Sequence, residues 1–450
     1  MKESGNASKS HGNHPVSRES ASKPSGLLAL SPLLVFLLIY LVSSLVAKDF
    51  YSIPVSSVFL FASIYAIAIS RNGSIQERIQ VFSKGAGDKN VLLMIWIFVL
   101  AGAFAATAKE IGAIEATVNL ALKLLPGKLI YAGLFIASCF ISTAIGTSVG
   151  TIVALVPVAA ALAGEISPGN EQAIAFVSAI VVGGAFFGDN LSFISDTTIA
   201  ATRTQNCSMK DKFRVNIGIA GPAALIVCTI YIIMGLSAGA NPECGPVEIV
   251  KILPYILIIV LALSGLDVTL VLLCGLLTNA VIGLFQGSFT WAGYLGTIGQ
   301  GISSMGDLII VTLLAGGMLE VIRSNGGLDY LIGHLTRRIR GKRGAELSIA
   351  LLVGLANLCT ANNTIAIITT GKIAKDISGR YGVDPRKSAS ILDTFSCLVQ
   401  GLIPYGAQLL MATGLAGVGT MSIIVHLYYP LILGLCAFAA IIFRFPRRYS

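Results

Sequence analysis

The stretch Gly188-Asp189-Asn190-Leu191-Ser192-Phe193-Ile194-Ser195-Asp196-Thr197-Thr198 lies inside an apolar run that begins near Gln172 and turns clearly polar only at Arg203. A run of that length can cross a bilayer, so two carboxylates and several hydroxyl and amide groups fall where hydrocarbon belongs. Each charge at that depth costs about 2.5–3.5 kcal/mol on insertion scales, so acids persist there for function or for a specific pairing. Gly183, Gly184 and Gly188 stand beside them and predict an unwound stretch whose freed carbonyls line a cavity. Oxygen-rich, anionic and helix-breaking together describe a cation site in a transporter. The plainer alternative is a pair of buried aspartates that only hold helices together.

Composition fixes the class around that stretch. The chain of 450 residues is 55% hydrophobic and 12% charged, with a mean hydropathy of +0.82. Soluble domains carry about 25% charge, so the chain reads as an all-α polytopic membrane protein. Its net charge of +9 does not point to nucleic acid, because the basic residues sit in short loops between apolar runs, where they set topology. Cys139, Cys228, Cys274, Cys359, Cys397 and Cys436 fall within apolar segments, and no cysteine spacing suits a metal or a disulfide framework. No Walker loop, HExxH or CxxC motif is present. The Ser-rich peptides around 142–148 lack a base partner for nucleophilic chemistry. Enzymatic catalysis and primary pumping therefore have no support.

The apolar segments run roughly 27–47, 53–70, 91–108, 129–164, 172–202, 216–236, 249–264, 267–285, 307–322, 346–371, 388–418 and 421–443. If 129–164 and 346–371 each enter and return on one side, the basic tail, the loop with Arg71, Arg78, Lys84 and Lys89, and the stretch Arg203–Arg214 share one face. So do Arg323–Arg343, Lys372–Lys387 and the end with Arg444, Arg447 and Arg448. Only Lys48, Lys109, Lys123 and Lys128 dissent. Both termini are then cytoplasmic in an inner, cytoplasmic membrane. The first hairpin has about 17 residues per arm, near the lower limit for spanning, and its small, polar middle suits a tip.

An internal repeat emerges on the same frame. Ala101-Gly102-Ala103-Phe104 aligns with Ala315-Gly316-Gly317-Met318, Ser142-Thr143-Ala144 with Cys359-Thr360-Ala361, and 189–202 with 400–413. Each half holds five spans and one re-entrant hairpin. Five is odd, so the second half is inverted, with discontinuous helices meeting at the midplane. The chain divides into a disordered cytoplasmic tail (1–26), a first transmembrane repeat (27–236) and an extracytoplasmic linker (237–248). A second, inverted repeat (249–443) and a cytoplasmic C-terminus (444–450) follow.

Asp189, Ser192 and Asp196 are spaced i, i+3, i+7, which places them on one helical face. With Asn190, Ser195, Thr197 and Thr198 they form the expected ion-binding and coupling set, with Na⁺ at Asp189 and Asp196. One carboxylate can stay a fixed ligand while the other trades a proton for the ion. Asp393, Ser396 and Gln400 repeat the spacing in the second half, where Asp393 lies near the cytoplasmic end and within reach of water. Thr143, Thr147 and Ser148 mark the first hairpin tip, and Thr360, Asn362, Asn363 and Thr364 the second. Singly, each such group commonly just bonds a neighbouring helix. Glu320 reads as a cytoplasmic-end salt bridge, and His426 as packing.

Gly188-Asp189 followed by Ser192 and by Ser195-Asp196-Thr197-Thr198 resembles the signature of the NhaC-type sodium/proton antiporters, over about residues 30 to 440. The hairpin-plus-broken-helix repeat is similar to the wider ion transporter superfamily. The resemblance implies Na⁺/H⁺ exchange, with some relatives exchanging or co-transporting organic acids or amino acids. Asn190 stands where Lys is frequent in that pattern and Phe193 where Pro is frequent, which changes the expected charge of the site.

The leading reading is a secondary transporter exchanging Na⁺ for H⁺ by alternating access. Its rival is a Na⁺-coupled transporter of an amino acid or organic acid, against which counts the lack of a buried Arg or Lys in the site region. A channel fits an inverted repeat of broken helices poorly. The expected partners are the lipid bilayer, Na⁺ and H⁺, with the organic cargo as the alternative and a homodimer left open. Nucleic acid is not among them. No cofactor is expected.

Overall fold

The computed structural model describes residues 26–47, 54–71, 73–124, 127–192, 195–238, 246–264, 266–336, 341–446 and 449. The tail at 1–25, most of the linker, Phe193 and Ile194, and Arg447 and Arg448 lie outside the described residues. Every regular element among the described residues is helical.

The first half begins with α1 (Ser31–Ala47) and α2 (Val55–Ile69), followed by a short amphipathic helix α3 (Ile75–Ala86). Ser74 and Glu77 close a reciprocal capping box at its start. Then come α4 (Lys89–Glu110), α5 (Ala113–Leu124), the pair α6 (Ile130–Ile145) and α7 (Ser148–Ile166), the pair α8 (Glu171–Leu191) and α9 (Asp196–Gln205), and the long α10 (Met209–Ala238). The second half contains α11 (Ile249–Leu263), α12 (Val268–Gln286), α13 (Trp291–Ser304), α14 (Gly306–Ser324) and α15 (Gly327–Thr336). After them lie α16 (Gly341–Thr360), α17 (Asn363–Tyr381), α18 (Pro385–Gln400), α19 (Ala407–Ala416), α20 (Thr420–Val425) and α21 (Tyr428–Ile442).

By length and composition six of these stretches can cross a membrane, or seven if α13 and α14, bent by 42°, form one span. Large apolar side chains such as Leu38, Phe61, Leu225 and Leu277 stay exposed on α1, α2, α10 and α12, a surface that suits acyl chains. The chain is a multi-pass membrane protein. Its helices were recognisable from hydropathy except α3, α5, α13 and α15, which fall in stretches that read as loops. The second hairpin is also longer than 346–371, because α16 and α17 run on past the charges of Lys342, Arg343, Lys375 and Arg380.

Lipid tails are as apolar as leucine, so helices in a bilayer associate through close packing of small residues rather than through exclusion of water. Two such contacts organise the bundle. A Cβ on Gly102 of α4 would stand 2.3 Å from the Gly301 carbonyl oxygen of α13, and one on Gly85 of α3 would stand 2.4 Å from the Gly316 carbonyl oxygen of α14. Each half thus lends its short helix to the long glycine-bearing helix of the other.

The two hairpins turn alike. At the first tip Gly146 takes a left-handed φ of 77° and its N–H bonds the Ser142 carbonyl; at the second, Ala361 takes φ 50° and bonds Asn357 in the same way. Geometry therefore pairs Gly146 with Ala361, two residues out of register with the pairing of Ala144 and Ala361 that the sequence suggests. The arms α6 and α7 pack on α8, and α16 and α17 on α18; α7 also packs on α19, and α17 on α9. Tyr405, in the break between α18 and α19, wedges against Phe36 of α1 and Phe59 of α2 with ring centroids 5.6 and 5.2 Å away.

Candidate functional site

The first broken helix is built differently from the sequence expectation. The α8 helix runs unbroken through Gly183, Gly184 and Gly188 and unwinds only after Leu191. The glycines serve proximity: a Cβ on Gly188 would lie 2.1 Å from Ser142 Oγ, and Ser142 Oγ donates to the Ala185 carbonyl at 2.7 Å. Gly184 and Gly188 let α6 lie against α8, while Gly183 lies against Tyr429 of α21. Gly188→Val should push the tip away, at a packing cost of about 1–3 kcal/mol, and lower both detergent-solubilised melting temperature and transport.

Unwinding frees carbonyls, and those of Asp189 and Asn190 both have partners. The Asp189 carbonyl accepts from Ser195 Oγ at 2.8 Å, Thr197 Oγ1 at 3.0 Å and Thr198 Oγ1 at 3.4 Å. The Asn190 carbonyl accepts from Lys212 Nζ at 2.7 Å and Asn216 Nδ2 at 3.0 Å. Ser195 also caps α9 through the Thr198 N–H. Ser195, Thr197 and Thr198 thus knit the break together. The Asp189 and Asn190 carbonyls are engaged by protein donors, contrary to their expected role as free ligands. Asn190 turns its own amide back on the Phe186 carbonyl, leaving its Oδ1 buried with no partner.

The break also separates residues that an intact helix would align. Asp189 is 5% exposed, and its Oδ1 accepts the Ser148 backbone N–H at 3.1 Å. Ser148 is the first residue of α7, so the carboxylate faces the positive end of that helix dipole. Ser192 is buried, whereas Asp196, in the first turn of α9, is exposed. Asp189, Ser192 and Asp196 therefore share no single helical face, and only Asp189 is a deeply buried acid of the signature.

From Ser148 a chain of bonds reaches the second half. Gln408 Nε2 donates to Ser148 Oγ at 3.1 Å, and Gln400 Nε2 donates to Gln408 Oε1 at 2.9 Å and to the Ala361 carbonyl at 3.1 Å. Asp189 meets the first tip and Gln400 the second, so the anionic position of one half corresponds to a neutral amide in the other. At the second tip Asn362 caps α17 through the Ile365 N–H, Thr360 Oγ1 bonds the Asn362 carbonyl, and Asn363 Oδ1 accepts the Thr364 N–H. Thr143 bonds back to Cys139 within α6, and the Thr147 carbonyl accepts from Thr151. Ser396 bonds the Asp393 carbonyl.

Asp393 is not wetted: it is 0% exposed and ion-paired at 2.7 Å with Lys212, itself 1% exposed. Asn216 adds a bond to the same carboxylate oxygen at 2.8 Å. A buried lysine therefore does stand in the site, against the sequence expectation. Where the resemblance led to a lysine at position 190, Lys212 reaches the Asn190 carbonyl from α10 instead. Lys212, Asn216 and Gln408 are the residues that the sequence reading missed. Lys212 and Asn216, one turn apart at the head of a span, were the available signal. Glu320 forms ion pairs, as anticipated, with Lys84 at 3.6 Å and Arg323 at 3.7 Å. His426 packs edge-on against Phe176.

Two cavities lie at opposite ends of α4, α14 and α19. One, of about 350 Å³, is lined by Lys84, Asp88, Glu320 and Arg323 at its rim and by Thr360 and Asn362 of the second tip. The other, of about 330 Å³, is lined by Lys109, Glu115, Pro157 and Gly414 among others. Gly414, on the wall of the second cavity, sits so close to Leu308 that a Cβ there would lie 2.4 Å away.

The model of the Na⁺/H⁺ antiporter family matches residues 24–240 and 241–446. A malate-2H⁺/Na⁺-lactate antiporter of Bacillus subtilis is 24% identical over 75% of this chain and 78% of its own length. The Na⁺/H⁺ antiporter NhaC of Alkalihalophilus pseudofirmus is 25% identical over 66% of this chain and 69% of its own. The solved structure of the Alcanivorax borkumensis YdaH transporter aligns over 92% of this chain and 99% of its own at 14% identity and a TM-score of 0.42, a likeness too loose to bear on the fold.

Proposed function

The chain belongs to the Na⁺/H⁺ antiporter family, and from that premise we propose that it exchanges Na⁺ for H⁺ across the cytoplasmic membrane by alternating access. The observation that carries the assignment of the site is Asp189. Among the described residues three acids are almost wholly buried: Asp393 pairs with Lys212, Glu346 stands 3.9 Å from Lys387, and Asp189 has no basic partner. An uncompensated carboxylate in a low-dielectric site attracts a cation or a proton. Na⁺ binds Asp189 together with oxygens of the Ser148–Gln408 network, and the proton takes the same carboxylate when Na⁺ leaves.

Several features support the wider mechanism. The exchanged short helices, the paired left-handed tips and the pairing of Asp189 with Gln400 suit an inverted repeat of five spans and one re-entrant hairpin per half. The junction of the two matched family stretches falls within the linker at 237–248. The cavities at opposite ends suit two access routes that open in turn. With both termini cytoplasmic, the larger cavity and its charged rim face the cytoplasm. Asp196, exposed in the first turn of α9, serves ion approach more than binding. Asp196→Asn should therefore change Na⁺-driven proton flux by about threefold or less, consistent with the weak influence of a solvated charge.

A second reading has its own observation. A cavity of about 350 Å³ ending on Thr360 and Asn362 exceeds the needs of a bare ion and matches a small ligand pocket. A relative exchanges malate and lactate. On this reading an organic acid or amino acid is carried against the second tip. Proteoliposomes separate the two. Na⁺-driven proton movement without added organic solute supports exchange, whereas Na⁺-driven uptake of a labelled acid with no such proton movement establishes the rival.

A further inference from the structure

The Lys212 ammonium has three contacts, all at 2.7 Å: Asp393 Oδ2, the Asn190 carbonyl and Thr198 Oγ1. Thr198 Oγ1 itself points at the Asp189 carbonyl. Lys212 and Asp393 form a buried ion pair at 2.7 Å, and within such a pair the two opposite charges cancel. The pair has no net charge and is sealed from water.

Resting on the function proposed above, we propose that Lys212 is a fixed internal cation that cancels Asp393 and leaves one exchangeable charge, so that the exchange is one Na⁺ for one H⁺ and electrically silent. The step balances: protonated Asp189 and Na⁺ give the Asp189 carboxylate with bound Na⁺ and a released H⁺. Among the described residues, Asp189 of α8, Cys397 of α18 and Tyr429 of α21 face the pair. Cys207, before α10, faces Lys212 together with Asp211, Asp384 and Arg386. Arg386 is the one further cation in this set, and it is held by Asp384 at 2.9 Å. Lys212 touches no transported ion on this account. It acts as a positioning residue that sets the charge of the site and holds both sides of the α8–α9 break.

The experiment measures Na⁺/H⁺ exchange in proteoliposomes with and without a K⁺ diffusion potential set by valinomycin, and finds the reversal point under opposed Na⁺ and H⁺ gradients. Wild-type flux should reverse where the two concentration ratios are equal and should ignore the potential. Lys212→Gln exposes the Asp393 charge to the site, and the rate should become voltage-sensitive by roughly threefold or more. Lys212→Gln with Asp393→Asn restores the net charge and should return a slower exchange to voltage insensitivity. Should Lys212→Gln fail to insert, the wild-type reversal point and the double variant still decide. Wild-type exchange that moves net charge, or a voltage-insensitive Lys212→Gln, overturns the proposal while leaving Na⁺/H⁺ exchange intact. A wild type with no Na⁺-dependent proton movement overturns both.

Discussion

Asp189→Asn should lower Na⁺-driven proton flux by about 100-fold or more at matched expression, because a neutral amide forfeits the charge that draws a dehydrated cation into the site. The substitution is nearly isosteric. Its amide oxygen can still accept the Ser148 N–H that Asp189 Oδ1 accepts at 3.1 Å, so the tip of α7 should stay docked. Loss of flux with an unchanged melting temperature in detergent is therefore the expected pair of results. The same change tests the alternative in which Asp189 is only a helix cap. A cap needs an acceptor and no charge, so a cap would leave flux close to normal. Comparison with Asp196→Asn sharpens the point, since Asp196 is exposed while Asp189 is buried. Equal losses in the two variants would place the ion between them and remove the distinction drawn from burial.

How much of this was legible in the sequence depends on the scale of the feature. Spans are long and apolar, and hydropathy found α4 and α12 to within two residues at each end, whereas 172–202 merged α8 with α9 and 216–236 missed the first turns of α10. The hydroxyls after the break, read as cation ligands, are bonded in the structure to the carbonyl of Asp189. The glycines before it misled, because Gly in an apolar helix signals either unwinding or close approach. Only the position of Ser142 against Gly188 distinguishes the two. The short helices α3 and α13 escaped because Gln76, Glu77, Arg78 and Lys84 interrupt the one and Gly293, Gly296, Gly299 and Gly301 the other, so neither makes a continuous apolar run.

Lys212 was the deeper loss. In sequence it belongs to the basic stretch Arg203–Arg214, which the positive-inside rule assigns to the cytoplasm. The fold instead begins α10 at Met209 and turns this one lysine inward. No local pattern states that its ammonium meets a carboxylate 181 positions on; that is a property of packing α10 against α8, α9 and α18.

Protons should inhibit Na⁺ competitively at this site. A carboxylate must be deprotonated to coordinate a cation, so Asp189 holds either a proton or Na⁺. As pH falls below the point at which free Asp189 takes up its proton, apparent Na⁺ affinity should weaken by about tenfold per pH unit, the limit for one competing proton. Above that point it should be flat. The maximal rate at saturating Na⁺ should depend on pH less than the affinity does, because high Na⁺ outcompetes the proton. The slope carries the information. With Asp393 neutralised by Lys212, one proton leaves for each Na⁺ bound and the logarithmic slope is one. A slope of two would mean that a second carboxylate titrates with the ion and that the buried pair opens during the cycle. The measurement is the concentration of Na⁺ giving half-maximal proton flux in proteoliposomes across a range of pH. An affinity that ignores pH throughout would separate the proton from Asp189 and require another carrier for it.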